Sequence, residues 1–525
     1  MVMKRRWLFF VLVPVAYIAL LWLLVRSEYG AEGATIHTIP QALWYSLVTI
    51  TSVGYGDLYP VTAAGRVIAF VFLALSVGLL GLFVSFMLDT AERLKPFVKL
   101  RLLAGRDWYV FTGSSPDAAM LAGNLHRESP GTVVIFAGED DGQEVPEQAL
   151  FIRGTVSDIL SRRNSFEGVH IFCMKENDAQ NYLDAISLAD TDIPICCQAK
   201  FVPSRAPGNV SFYYRVDCAA RLFWQKHPVT QPQDTIVLIG FGEVGAAVLD
   251  RALEINILSI DQRICYHVFG DSADYRRNHT QLDRFLTLDS QSERGDSLIF
   301  HNGPWNAEPA LLERAGRIVL CADTGLENLK ALNTLRKFFL TRGSVYIYDC
   351  DVGGAAVSFG LAREMLTPSY VMREELSAIA RFKHELYRQS TGGPIAPWEE
   401  LDSLLRDLNV VAADHLSIKV RILLGADAPA LPSDELEQKT LCLAAEAFHA
   451  ADAETLDRLR RIEHERGSRF FYLNNWRYAP AGNDSARLNP MLKPYDELNE
   501  EDRRRHDQSW ELINQLRKWR EPHLP

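Results

Sequence analysis

The sequence predicts a membrane α-helical two-helix module, followed by two α/β units and an α-helical C-terminal module. Two uncharged apolar runs, each of about 20 residues, lie near the N-terminus and are long enough to cross a bilayer. Short strand-like runs then alternate with helical patterns, which is typical of parallel sheets. Beyond residue 371 the pattern becomes helical, charged and rich in aromatic residues.

The composition limits the class of protein. Of the 525 residues, 48% are hydrophobic and 23% are charged, so any membrane part is a minor fraction of the chain. The net charge of -11 argues against nucleic acid as a partner, because a nucleic-acid surface needs a basic footprint. The eight cysteines form no CxxC pair, which favours a reduced compartment over a disulfide scaffold or a zinc site.

The two apolar runs cover residues 7–25 and 67–88. As an α-helix, either run spans roughly 30 Å, the thickness of the hydrocarbon core of a bilayer. A secretory signal is the alternative for the first run, since basic residues precede it, but the run is too long and no clear cleavage site follows. We therefore predict a multi-pass protein of the cell inner (plasma) membrane, with the lipid bilayer as a partner.

Basic residues indicate the orientation of these two helices. No Lys or Arg occurs from residue 27 to residue 65. Basic residues precede the first run and follow the second, at Arg93, Lys95, Lys99, Arg101 and Arg106. The positive-inside rule therefore predicts that both termini are cytoplasmic and that the segment between the helices lies outside.

The segment between the two runs is unusual for an external loop. Residues 40–51 are apolar and aromatic, and Pro40 stands where the first turn of a helix tolerates proline. This helix is too short to cross the membrane, and Gly-rich backbone follows it. A re-entrant loop fits this pattern, since irregular backbone at membrane depth survives only where protein or a water-filled cavity satisfies it. The alternative is an external Gly-rich turn between two anchor helices.

The stretch ALWYSLVTITSVGYGDLYPVTAAGR, residues 42–66, resembles the pore helix and selectivity filter of two-helix bacterial potassium channels. In that family, backbone carbonyls replace the water shell of the ion, and four chains line one path. The resemblance implies that potassium ions are held by the backbone carbonyls of Ser52, Val53, Gly54 and Tyr55. The Ser52 hydroxyl group would also hold an ion. The resemblance also implies that the filter is supported by Trp44, Tyr45, Gly56 and Asp57.

Three positions depart from the family pattern. Ser52 replaces the usual Thr and loses the methyl group that stiffens its rotamer. Val48 stands where a buried carboxyl group is common. Ser76 stands at the usual hinge glycine of the inner helix, so Gly78 and Gly81 are the candidate gate hinge, with close helix packing as the alternative.

The second α/β unit contains a GxGxxG pattern after a predicted strand and before a helix. Glycines at these positions permit a tight turn and the approach of a pyrophosphate group to the helix N-terminus. An acid at the end of the next strand can bind a ribose hydroxyl group. The candidate cofactor is a nucleotide (NAD, ATP, ADP or AMP), and the candidate residues are Gly240, Gly242, Glu243, Gly245 and Asp271. Glu243 is also the residue that could crowd a phosphate.

The two α/β units are similar to each other. HIFCMKENDAQNYLDAISL in the first unit parallels RIVLCADTGLENLKALNTL in the second, which aligns Asn181 with Asn328. The first unit keeps Gly113 but has Ser115 in place of the second glycine, which favours a structural role there. Such paired units after a pore resemble RCK (TrkA-N-like) domains. No catalytic acid and base stand out, so the expectation is no enzyme, and a dehydrogenase is the disfavoured alternative.

The C-terminal module contains two related helical copies. The later copy, with NNWRYAP and LKPYDELNEEDRRRHDQSW, resembles the RyR domain, the repeat of ryanodine receptors. Stacking rings beside arginines are suited to a nucleotide-like anion. The candidate ligand residues are Trp398, Trp476, Tyr478, Tyr495 and Arg503. The alternative is an aromatic helical core with solvated charges.

Together these patterns predict a ligand-gated, potassium-selective homotetramer that responds to a small cytosolic molecule. The alternative is a membrane-anchored nucleotide sensor without conduction. The predicted parts are the first helix (1–26), the outer loop with pore helix and filter (27–66), the inner helix (67–90), a linker (91–106), the two RCK-like domains (107–230 and 231–370) and the RyR-like module (371–525).

Overall fold

The computed structural model describes residues 2–51, 53–103, 105–138, 145–163, 165–200, 203–391, 395–425 and 434–520. Within these ranges the side chains of residues 2–14, 75, 76, 78, 79, 82, 89, 92–97, 391, 434–437 and 520 are not described. The chain divides into two compact units, Met1–Leu102 and Leu103–Pro525.

The N-terminal unit consists of three helices, α1 (Val2–Glu28), α2 (Ile39–Ile50) and α3 (Ala63–Leu102). The C-terminal half of α1, helix α2 and the first part of α3 pack against each other around a small apolar core made of Leu21, Leu24, Ile36, Ala42 and Phe72. The predicted inner helix and the first part of the predicted linker form one continuous helix, because α3 runs on to Leu102.

In the described part of the chain, no helix is both long and apolar enough to cross a membrane. The two predicted spans, 7–25 and 67–88, fall partly on side chains outside the described residues, at 7–14 and at 75, 76, 78, 79 and 82.

The first α/β part of the Leu103–Pro525 unit, called the first half below, is built on a parallel six-stranded sheet. Its strands lie in the order β3-β2-β1-β4-β5-β6. They are β1 (Trp108–Phe111), β2 (Val133–Gly138), β3 (Leu150–Arg153), β4 (Val169–Cys173), β5 (Ile195–Gln198) and β6 (Val210–Tyr213). The helices are α4 (Pro116–Glu128), α5 (Val156–Leu160), α6 (Asp178–Leu188) and α7 (Arg215–Lys226).

The second half repeats this arrangement with seven strands, in the order β13-β12-β11-β7-β8-β10-β9. The strands are β7 (Gln233–Ile239), β8 (Arg263–Phe269), β9 (Thr287–Leu288), β10 (Ser297–His301), β11 (Arg317–Leu320), β12 (Ser344–Tyr348) and β13 (Val357–Phe359). The helices are α8 (Glu243–Ile255), α9 (Ala273–Asn278), α10 (Pro309–Arg314) and α11 (Gly325–Phe338). In both sheets the strand order reverses beside the first strand, as in Rossmann folds.

The predicted repeat is confirmed by hydrogen bonds. The Asn181 amide accepts from Lys175 N (2.6 Å) and donates to the carbonyl oxygens of Lys175 (2.8 Å) and Gln198 (2.9 Å). Asn328 accepts from Ala322 N (2.8 Å) and donates to the carbonyls of Ala322 (2.9 Å) and Tyr348 (3.2 Å). Each buried asparagine thus joins the turn after one strand to the end of the next strand.

The C-terminal module is helical. Two short helices precede it, α12 (Ala362–Met365) and α13 (Pro368–Val371). Its main helices are α14 (Ala378–Thr391), α15 (Ser403–Asp414), α16 (Leu416–Leu424), α17 (Asp434–His449), α18 (Ala453–Leu473), α19 (Glu500–Arg505) and α20 (Asp507–Arg520). A small two-stranded sheet pairs β14 (Arg477–Tyr478) with β15 (Leu488–Asn489).

The two helical copies in this module make equivalent contacts. The Nε2 atom of His384 on α14 lies 2.9 Å from the Ala396 carbonyl oxygen, and that of His464 on α18 lies 2.9 Å from the Lys493 carbonyl oxygen. A short 3-10 helix follows each carbonyl, Trp398–Glu400 and Tyr495–Glu497. The internal duplication is therefore visible in the fold.

Two buried ion pairs join this module to the sheets. Arg221 on α7 donates to Asp414 on α15 (2.8 Å). Arg469 on α18 donates to Asp296, which precedes β10 (2.7 Å). These side chains are at most 5% exposed, so the contacts are held away from water.

Candidate functional site

The short helix α2 is defined at its start by a capping box. The Thr38 hydroxyl accepts from the Gln41 backbone N–H, and the Gln41 side chain accepts in return from the Thr38 backbone. Pro40 lies in the first turn, where the missing N–H is harmless. The helix ends at Ile50, which confirms the predicted pore-helix segment as a helix.

The backbone after α2 has the conformation that its glycines permit. Gly54 has a φ of 57° and Gly56 a φ of 71°, both in the left-handed region. Alternation of left-handed glycines with ordinary residues lets successive carbonyls point to one side of the chain. The backbone N–H groups of Val53 (3.1 Å) and Gly54 (3.3 Å) donate to the Val48 carbonyl, which fixes this segment to α2.

Trp44 holds the outer end of the segment. Its indole Nε1 donates to Asp57 Oδ2 (3.0 Å), and its ring stacks on Tyr55 with centroids 6.2 Å apart and planes 2° apart. Tyr45 instead packs against the small apolar core of the unit. Val48 is buried (8% exposed) and has no polar side-chain atom that could bond to Asp57. Trp44 is therefore the described residue of α2 that forms a hydrogen bond with Asp57.

Ser52 and the surroundings of Gly78 lie outside the described residues. Gly81 lies in α3 with open space around the position of a Cβ atom, so this chain alone shows no close packing there.

Glu28 was not identified from the sequence. It ends α1, is fully buried, and accepts from the backbone N–H groups of Val61 (2.9 Å) and Thr62 (3.0 Å) and from the Thr62 hydroxyl (2.7 Å). A Cβ atom on Gly65 would lie 2.0 Å from its carboxylate, so Gly65 leaves room for it. Glu28 thereby caps the start of α3 and closes the loop that contains the filter segment.

A second candidate site lies at the carboxyl ends of β7 and β11, where the strand order of the second sheet reverses. A cleft of about 660 Å³ opens there, between the Gly-rich turn, Asp323, His301 and Trp305. Gly240 has a φ of 86°, and a Cβ atom on it would lie 2.6 Å from Ala322. The tight turn predicted from GxGxxG is therefore present, at the position where Rossmann folds bind ligands.

Asp323 occupies the anion position of this cleft. Its Oδ1 accepts from the Val244 backbone N–H (3.0 Å), at the N-terminus of α8, and a Cβ atom on Gly242 would lie 2.1 Å from its Oδ2. Glu327 is a second acid in the cleft, and no Lys or Arg is among the described residues that line it. A phosphate group at the helix N-terminus must therefore displace the Asp323 carboxylate.

Glu243 and Asp271 have other partners in this structure. The Glu243 carboxylate accepts from Lys200 Nζ (2.8 Å) and Tyr214 OH (2.6 Å), both in the first half, and these hydrogen bonds lower the pKa of Glu243. Asp271 accepts from the Ala273 backbone N–H (3.0 Å). Neither residue is among the described residues that line the cleft.

Comparison with known proteins bears on the part of the chain that contains the first of these two candidate sites. Residues 7–93 match the profile of a family described as "Ion channel". The matched residues include α2 and the glycine-containing segment. The chain thus contains an ion channel domain at its N-terminal end.

Two curated proteins that the chain is similar to are potassium channels. The chain is 27% identical over 176 residues to the calcium-gated potassium channel TvoK of Thermoplasma volcanium, covering 31% of this chain and 49% of TvoK. It is 24% identical over 184 residues to probable potassium channel protein 2 of Methanocaldococcus jannaschii, covering 32% of this chain and 52% of that protein. The chain spans about half the length of the curated relatives it matches.

Among solved structures, the chain is similar to GsuK bound to ADP, with a TM-score of 0.34 and 14% identity, covering 71% of this chain and 100% of that one. It is also similar to the GsuK channel bound to NAD, with a TM-score of 0.33 and 13% identity, covering 73% of this chain and 86% of that one.

The candidate ligand residues of the C-terminal module lie in different surroundings. Trp398, Trp476 and Tyr495 are 6%, 6% and 7% exposed, whereas Tyr478 is 50% exposed. Trp398 packs under the Arg406 guanidinium (5.6 Å), and Tyr495 under that of Arg503 (5.0 Å). Trp476 makes an edge contact with Phe471. The burial of three rings favours the aromatic-core alternative for them.

Proposed function

We propose that the chain is one subunit of a ligand-gated potassium channel of a prokaryotic cell membrane. The observation that carries this proposal is the segment after α2. It contains two left-handed glycines, Gly54 and Gly56, and Trp44 contacts both Tyr55 and Asp57. A single copy of this segment cannot enclose an ion, so four copies around one axis would form the path.

The ion coordination belongs to the same proposal. The carbonyl groups of Ser52, Val53, Gly54 and Tyr55 would replace water around a dehydrated potassium ion. The ion channel family match over residues 7–93 and the similarity to named potassium channels support this assignment. Homotetramers with both termini in the cytoplasm would place the α/β units and the helical module below the membrane.

We propose that the α/β units regulate the pore through a small cytosolic ligand. In the second half, the glycine turn and the crevice at the strand reversal suit a nucleotide such as NAD, ATP, ADP or AMP. The Asp323 carboxylate occupies the phosphate position, so this chain would bind the phosphate groups only after Asp323 turns away. Binding would shift the gate by the ligand's differential affinity for the open and closed states.

The test is potassium flux in liposomes that contain the purified full chain, with and without cytosolic nucleotides. We expect potassium flux that exceeds sodium flux and changes with the active nucleotide. Absence of flux under every condition, with tetramers intact, would refute conduction and leave a membrane-anchored nucleotide sensor. Unchanged nucleotide affinity in Gly242→Asp would remove the second-half cleft from the proposal without affecting the pore.

A further inference from the structure

A cavity of about 800 Å³ lies between the two helical copies of the C-terminal module. Helices α14 and α15 contribute one side of it, and α18 and α20 contribute the other. The cavity is separate from the second-half cleft, and it contains none of the candidate residues Trp398, Trp476, Tyr478, Tyr495 and Arg503. A space at the junction of two duplicated elements is a common position for a small ligand.

Positive charge is in excess at the floor of this cavity. Arg466 and Lys419 both pair with the same carboxylate, Glu463, at 2.7 Å and 3.0 Å. The side chains of all three are at most 6% exposed. Lys383 lines the cavity beside them, and its described partner is the neutral Asn409 side chain (2.9 Å). Three cations therefore share one anion.

The pKa shifts agree with this geometry. Burial and the neighbouring Arg466 lower the pKa of Lys383 to about 8, and burial lowers that of Lys419 to about 8. Both amines remain mostly protonated at neutral pH, and the pKa of Glu463 is held well below its ordinary value by Arg466 and Lys419. The cluster thus keeps an excess of about two positive charges.

The other acids at the cavity are already paired. Asp507 accepts from Arg460 in bidentate geometry, at 2.7 Å and 2.8 Å. Glu511 lies 3.3 Å from His449. Neither acid therefore offsets the charge of Lys383.

Two side-chain nitrogen atoms at the cavity lack hydrogen-bond partners among the described residues. The Nη1 group of Arg466, a residue that is 5% exposed, has no hydrogen-bond partner. The Nε2 atom of His506, which also lines the cavity, has none either. Buried donors are normally satisfied, because an unmade hydrogen bond leaves the cost of desolvation uncompensated.

Part of the wall is apolar. This part is lined by Leu386, Leu405, Leu408, Phe448 and Leu512. A ligand that is charged at one end and apolar at the other would satisfy both parts of this cavity at once.

We propose that this cavity binds a small organic anion of the phosphate-monoester type, with an apolar or aromatic body. The anionic group would lie against Lys383 and Arg466, since a guanidinium group matches phosphate oxygens with paired donors. The body would lie against the leucines and Phe448. The anion would neutralise the excess charge, which is otherwise costly to bury.

The position of Arg466 connects the cavity to the rest of the unit. Arg469 is one turn further along α18, and it forms the buried ion pair with Asp296 at the edge of the second sheet. A ligand that moves α18 would act on that contact as well. This consequence rests on the proposed regulation of the pore, whereas the binding itself does not.

The experiment uses the purified full chain in detergent and three probes, namely inorganic phosphate, phenyl phosphate and AMP, with binding measured by calorimetry. We expect phenyl phosphate or AMP to bind about tenfold or more tightly than inorganic phosphate, because only they fill the apolar wall. In Lys383→Gln the affinity should fall about tenfold or more, since a charge-assisted contact is lost. The matched control is Lys439→Gln, which changes an exposed lysine on α17 and should bind as the original chain does.

A second variant tests the apolar side without altering charge. Leu405→Trp adds bulk to a half-exposed wall position and should abolish binding of phenyl phosphate while the chain remains folded. The proposal is overturned if none of the probes binds, or if Lys383→Gln and Lys439→Gln have equal affinities. It is also overturned if AMP binding is lost in Gly242→Asp but unchanged in Lys383→Gln, because that result places AMP in the second-half cleft.

Discussion

Removing Arg469 should destabilise the Leu103–Pro525 unit far more than removing an exposed arginine that also forms an ion pair. The Asp296 carboxylate is 1% exposed and accepts three hydrogen bonds, from Arg469 Nη1, Gln262 Nε2 and the Ile264 backbone N–H, each 2.7 Å long. In Arg469→Ala the two remaining donors are neutral, so a buried charge loses its only described counter-ion. The expected cost is about 3–5 kcal/mol of unfolding free energy.

The matched control is Arg342→Ala. Arg342 pairs with Glu313 at 2.6 Å, but these side chains are 74% and 41% exposed, so the expected cost is below about 1 kcal/mol. The assay is urea unfolding of the full chain, followed by tryptophan fluorescence. Equal unfolding midpoints for the two variants would refute the reasoning.

A second comparison separates the charge from the packing. Asp296→Asn introduced into Arg469→Met should recover part of the lost stability, because it removes the unpaired charge and keeps most of the volume. If Arg469→Met alone is as stable as the double variant, the buried charge is not the cause of the destabilisation.

Three further outcomes follow from other parts of the chain. Gly54→Ala should abolish potassium flux because its φ of 57° orients a filter carbonyl, whereas Gly123→Ala, at an open position on α4, should retain flux in the same liposome assay. Asp323→Asn should increase ADP affinity about tenfold or more in calorimetry by removing a charge from the phosphate position, whereas an unchanged affinity would contradict the displacement model. His415 is fully buried, and burial lowers its pKa from about 6.5 to about 3, so the unfolded chain binds the extra proton and stability falls as pH drops from 6.5 towards 3. At pH 5 this contribution is about 2 kcal/mol, and His415→Gln should flatten the acid limb of urea midpoints measured against pH.

The sequence predicted the sheets well because buried parallel strands have strong local patterns. The runs HIFCM and RIVL, which begin the two parallel stretches of the predicted repeat, became the strands β4 and β11. The short strands β9 and β13 were missed, because Thr287–Leu288 and Val357–Phe359 are too short to show a period. The predicted linker is helical up to Leu102 although it contains Pro96, a residue that ordinarily kinks or ends a helix.

Side-chain partners were harder to predict, because they depend on contacts that are remote in sequence. Glu243 stands in the glycine turn, yet its partners Lys200 and Tyr214 come from the other half of the unit. Asp323 had a usable signal, since it follows β11 at the carboxyl edge where ligands bind. The charge excess at Lys383 had no signal in the sequence, because it appears only when α14, α16 and α18 are brought together.

The filter residues and the nucleotide residues remain predictions at the level of individual atoms. What the comparisons confirm is the ion channel domain and its homology to potassium channels. Trp44 contacts both Tyr55 and Asp57, and its role as filter support stays a prediction.

The length of α3 bears on the proposed gating. A helix of 40 residues is about 60 Å long, so a tilt of about 10° about one end displaces the other end by about 10 Å. Under the proposed function, small changes of tilt at Leu102 would therefore become large displacements at the opposite end of α3.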